Sequence, residues 1–94
     1  MTKESSLQSK IIKYLESKGC YVVKTGGIGT GNGCPDLLFF YEGFYGALEV
    51  KASKTAKFQP LQKIILDKFD SWSYGRVVWP ENWNDIKNEL EQLI

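Results

Sequence analysis

The chain has 94 residues, is 43% hydrophobic, 14% aromatic and 24% charged, and carries a formal net charge of +1. That length supports one domain, residues 1–94, around a single modest core, and the apolar content excludes a disordered chain. A near-neutral balance is not the basic footprint of a chain that grips nucleic acid by bulk charge, no apolar run approaches the ~20 residues that span a bilayer, and the polar start MTKESSLQSK lacks the apolar stretch of a secretory signal; no membrane and a cytoplasmic location are expected.

Residues 4–18, ESSLQSKIIKYLESK, set Leu7, Ile11, Tyr14 and Leu15 at helical spacing with Ile12 beside them, and Gly19 follows as a stop. CYVVKT is β-branched and aromatic enough for a short strand, and a loop with five glycines between positions 26 and 33 ends it. DLLFFYEGFYGALEVKA reads as two strands joined at Glu42-Gly43, a β-hairpin. KASKTAK is loop-like, and FQPLQKIILDKFDSW resumes helical spacing through Leu61, Ile64, Ile65, Lys68 and Phe69, with Pro60 tolerated in the first turn. YGRVVWP is a strand stopped by Pro80, and ENWNDIKNELEQLI returns to helix through Trp83, Ile86, Leu90 and Leu93 or Ile94.

The order is αβββαβ followed by a C-terminal helix. The crossover from the second hairpin strand through the middle helix to GRVVW predicts a right-handed βαβ unit with those two strands parallel. The fold class is therefore α/β: a small mixed β-sheet flanked by helices. The unbroken apolar run Leu37 to Tyr41 predicts a sheet covered on both faces.

Three charges sit awkwardly in this plan. Side chains alternate along a strand, so Ala47, Glu49 and Lys51 share one face while Leu48, Val50 and Ala52 share the other. With Glu42 and Gly43 as the central turn residues, Tyr41 stands opposite Phe44, and counting back places Asp36 opposite Glu49; a turn one residue longer on each side places it opposite Lys51, on the same face. Two carboxylates directly opposite have Cβ atoms roughly 4.5 to 5.5 Å apart and repel unless something positive lies between them. Oxygen donors at that spacing suit Mg²⁺ or Mn²⁺ better than zinc, and Lys51 is placed to touch a water or phosphate at such a metal. Glu4 lies within about 20° of Ile11 and Leu15 on the helix wheel, so an acid opens the buried stripe. The face of Gln62 depends on where the second helix begins.

These residues resemble a known pattern. CPDLLFFYEGFYGALEVK matches the PD-(D/E)xK nucleases, with Pro35-Asp36 as the first half and Glu49-Val50-Lys51 as the second. The wider layout looks like the VRR-NUC, or virus-type replication-repair nuclease, branch: an acid in the N-terminal helix at Glu4, Gly33 two residues before the Pro-Asp pair, and FQPLQ resembling the branch's Ser-Pro-x-Gln, with Gln59 in place of the serine and Pro60 and Gln62 kept. The resemblance covers nearly the whole chain. It implies a restriction-endonuclease-like core and an endonuclease that cuts DNA with Mg²⁺ or Mn²⁺ held by Asp36, Glu49 and the Val50 carbonyl. It further implies that Glu4 acts through water or at a second metal, that Lys51 positions or helps deprotonate the attacking water, and that Gln62 belongs to the catalytic set. Stand-alone proteins of this branch are similar to Holliday-junction resolvases, typically phage or bacterial, that pair as homodimers; a small core also gains from a partner surface.

Each feature has a plainer reading. Asp36 alone is a turn-forming Pro-Asp, Glu49 and Lys51 a solvated strand face, and Glu4 a first-turn acid favoured by the helix dipole. Lys54, Lys57 and Lys63 are phosphate contacts if the chain binds DNA and a solvated edge if it does not. The glycine loop lacks a phosphate-binding motif and reads as a loop that closes over DNA. Cys20 and Cys34 read as packing residues, and with no histidine in the chain a zinc site of the usual kind cannot form within one protomer. Trp72, Trp79 and Trp83 read as core or dimer interface. The rival functions are a nucleic-acid-binding module of the same fold that does not cut, and a small α/β interaction protein whose acids serve solubility.

Overall fold

A computed structural model describes residues 2–26 and 33–94. Helix α1 (Lys3–Ser17) starts at Thr2, whose hydroxyl accepts the Ser5 amide as an N-cap. It buries Leu7, Ile11 and Leu15, spaced four apart so that they form one stripe. Strand β1 (Tyr21–Lys24) is followed by the hairpin β2 (Leu37–Tyr41) and β3 (Phe44–Val50). Glu42 at φ 38° and Gly43 at φ 88° form its two-residue turn, both central residues having the positive φ that lets the turn follow the strand twist. Helix α2 (Gln62–Trp72), strand β4 (Gly75–Val78) and helix α3 (Trp83–Leu93) complete the expected order.

The four strands lie in the order β1-β2-β3-β4, antiparallel except for the parallel β3–β4 pair that α2 connects. The hairpin register is the one the sequence predicts: Tyr41 faces Phe44 and Leu37 faces Leu48. On one face of the sheet Leu37, Phe39, Leu48, Val50 and Val78 pack with Leu7, Ile11 and Leu15 of α1 and with Trp83, Ile86 and Leu90 of α3. Tyr14 meets Trp83 edge to face at 5.4 Å, joining the two helices above that core.

The other face departs from expectation. Helix α2 covers β3 and β4 so closely that a Cβ on Gly75 would lie 2.6 Å from the Leu66 carbonyl oxygen. The same face of β1 and β2 is open, with Tyr21 72% and Phe40 44% exposed, so the apolar run of β2 marks a strand covered on one face and bare on part of the other. Helix α2 is also rotated from the expected stripe. Leu66 is buried while Leu61 and Ile64 are exposed, because the helix begins at Gln62, past Pro60, and its inner row runs Gln62, Leu66, Phe69. Leu61 is apolar and spaced like a core residue, which is why the periodicity misplaces the face. Of the tryptophans Trp83 is in the core and Trp72 is exposed, and Cys20 is buried in the core cluster while Cys34 is half-buried. Most of the glycine loop falls at 27–32, outside the described residues.

Candidate active site

The hairpin ladder ends at Leu37–Leu48, and the next residues out on the two strands, Asp36 and Glu49, lie beside each other. Asp36 is not free to drift. Its backbone amide donates to Glu49 Oε1 at 3.2 Å, and its Oδ2 accepts the Val50 amide at 2.9 Å. Its carbonyl accepts the Thr25 amide at 2.9 Å, and the buried Thr25 hydroxyl donates to the carbonyls of Pro35 and Asp36. The end of β1 therefore clamps the Pro35–Asp36 backbone. A strand residue's N–H and C=O face the same edge, so the Val50 carbonyl faces Asp36 as its amide does.

Glu49 is 2% and Lys51 8% exposed, unusual for charged residues unless they are paired. They are paired: Lys51 Nζ lies 3.2 Å from Glu49 Oε2, and the Lys51 amide donates to the Val78 carbonyl, which ties the end of β3 to β4. Gln62 completes the cluster from the first turn of α2, its Nε2 donating to Glu49 Oε2 at 2.9 Å and its Oε1 accepting from Lys51 Nζ at 3.1 Å. Phe58 lies over the Lys51 ammonium, 5.2 Å from ring centre to Nζ.

The electrostatics follow from two acids and one cation in a half-closed place. Burial, and then the neighbouring Asp36 charge, push the Glu49 carboxyl up to about 7 against the pull of Lys51. Burial also raises Asp36, opposed by the Val50 amide and Lys51. Two carboxyls held above their usual range, both by burial and Glu49 also by the Asp36 charge, mark a site short of positive charge. The donors are hard oxygens from two carboxylates and one main-chain carbonyl, a set that fits a divalent cation of the Mg²⁺ or Mn²⁺ type with water completing its shell.

Asp36, Glu49, Lys51 and Gln62 thus come together. Glu4 does not: it is half-buried on the first turn of α1, and among the described residues no third His, Cys, Asp or Glu joins the acidic pair. Lys54 and Lys57 are exposed on the loop after Lys51, and Lys63 is exposed on α2 with its ammonium 2.6 Å from Asp67. Sequence reasoning missed Thr25 and Phe58. Thr25 is found only by extending the β1–β2 register, which a long glycine loop leaves open; Phe58 sits in a segment with no periodicity at all.

No family model matches the sequence, and no curated protein does. Among solved structures, one described as a VRR_NUC domain is 25% identical and superposes with a TM-score of 0.75, covering 94% of this chain and 97% of that one. This chain has the fold of that nuclease-type domain over nearly its full length, and no described helix is long and apolar enough to cross a membrane.

Proposed function

We propose that the protein is a metal-dependent DNA endonuclease of the cytoplasm, selective for branched DNA such as a four-way junction. The observation that carries this reading is the convergence of Asp36, Glu49, Lys51 and Gln62 at one edge of the sheet, on a nuclease-type fold. Asp36, Glu49 and the Val50 carbonyl would hold Mg²⁺ or Mn²⁺, which when bound polarises the scissile phosphate and lowers the pKa of a bound water. Lys51, fixed between Glu49 and Gln62, presents an ammonium to the phosphate oxygens and orients the attacking water. Gln62 holds Lys51 and Glu49 in mutual register. Lys54 and Lys57 on the exposed loop after Lys51, and Lys63 on α2, would contact flanking phosphates.

A homodimer places two such sites on one junction. The open half of the sheet at Tyr21 and Phe40, with Leu61 exposed just before α2 and Ile64 and Trp72 exposed on it, supports a partner surface.

The test is cleavage of an end-labelled four-way junction beside linear duplex, single strand and flap, with Mg²⁺ or Mn²⁺ and with chelator. Metal-dependent cutting that Lys51→Ala abolishes, strongest on the junction, is the expected result. Salt-sensitive binding with no cutting at any metal concentration would replace this reading with that of a binding module.

A further inference from the structure

Gln62 serves three partners at once: Glu49, Lys51 and the Gln59 amide, which donates to its Oε1 at 2.6 Å. A long, flexible carboxamide stays between a buried acid and a buried ammonium only if the backbone beneath it is fixed. Two features fix it. Leu61, the residue before it, stands at φ 73° in the left-handed region that leucine rarely visits. Its side chain is 51% exposed, so side-chain burial does little to hold that conformation. The second feature is Gly33, at φ 79°. A Cβ there would lie 2.8 Å from the Gln62 nitrogen, 2.8 Å from the Leu61 carbonyl carbon and 3.1 Å from Leu61 Cβ. Two of those three atoms are main chain and have no rotamer to escape into. The segment arriving at Pro35-Asp36 is therefore seated directly on the peptide that opens α2.

We infer that Gly33 and Leu61 are positioning residues that set the Gln62 carboxamide between Glu49 and Lys51. The missing side chain at Gly33 lets the Asp36 segment and the α2 entry share one backbone contact, and the left-handed turn at Leu61 aims Gln62 inward instead of along the outer row. Any side chain at position 33 displaces the first turn of α2 and releases both the acid and the ammonium. A β-branched residue at position 61 cannot hold the turn, whereas glycine can.

The Gln62 side-chain amide reports this without metal or DNA. In ¹H–¹⁵N spectra its two protons are expected shifted and slow to exchange in the wild type, where one rests on a carboxylate. Gly33→Ala and Leu61→Val are expected to move them to the position of a solvated glutamine while the backbone amides of Phe39 and Leu48 stay put; Leu61→Gly is expected to keep the wild-type signature. In cleavage, the one arm that rests on the nuclease reading, Gly33→Ala and Gln62→Ala should each lose about 10- to 100-fold, and the double variant should be no slower than Gln62→Ala. An unmoved Gln62 amide in the displacing variants, or losses that multiply in the double variant, would overturn the inference. If Gly33→Ala does not fold, Leu61→Val at its half-exposed position decides. A wild type that cuts nothing would sink the nuclease reading alone, and the amide would still judge the positioning.

Discussion

Raising the pH of the metal-free protein should destabilise it, because Glu49 is better off protonated inside the fold than outside. Its carboxyl moves from an ordinary 4.5 up to about 7 on folding, chiefly by burial and by the facing Asp36. A folded pKa above the unfolded one means that the native state holds a proton the unfolded chain has released. Stability from this group is therefore complete below about pH 4.5, falls as pH rises, and is flat again beyond about pH 8. At 1.36 kcal/mol per unit the loss reaches about 3 kcal/mol, for a side chain 3% exposed. Asp36 shifts in the same direction and adds to the fall. Glu91, lowered by Tyr14 and Lys18, acts the opposite way, but its contribution is lost only as pH drops below the ordinary carboxylate range. The assay is urea unfolding in chelator at a series of pH values from about 5 to 9, for wild type and Glu49→Gln; the expected decline of about 3 kcal/mol across the series should largely vanish in the variant. A wild-type stability that rises or stays level over that range, or a decline equally steep in Glu49→Gln, would refute the reasoning.

The same deficit of positive charge predicts metal linkage: at about pH 8, Mn²⁺ at 100 times its dissociation constant should restore about 2.7 kcal/mol in the wild type and little in Asp36→Asn, read by the same unfolding curves. Gly75→Ala, whose new methyl would meet the Leu66 carbonyl oxygen at 2.6 Å and the Asp70 nitrogen at 2.9 Å, should cost about 1–3 kcal/mol and lower the thermal midpoint. Ile11→Ala, fully buried where α1 meets the sheet, should cost about 2–5 kcal/mol by the same measurement. Lys54→Ala with Lys57→Ala should weaken junction binding and reduce the slope of log affinity against log salt by about one per lysine, with no change in stability; an unchanged slope would remove these lysines from the DNA contacts.

The sequence by itself determined the elements and the central pairing of acids. Helical spacing over 4–18, alternation across ALEVKA and a two-residue turn at Glu42-Gly43 are local properties, and a strand period of two makes the register count from the turn binding: once Tyr41 faces Phe44, Asp36 must reach Glu49. What only the tertiary structure decided are relations between segments that no local period connects. The glycine loop leaves the β1–β2 register open, so Thr25 beneath Asp36 is invisible until the sheet forms. The bare half of the second sheet face depends on how far one eleven-residue helix extends across four strands. The inner face of α2 turns on a single backbone angle at Leu61, held against Gly33 from nearly thirty residues away, and hydrophobic periodicity reports side chains without sensing a main-chain angle. Gln62 faces the acids because two distant backbones touch there, a condition that only packing imposes.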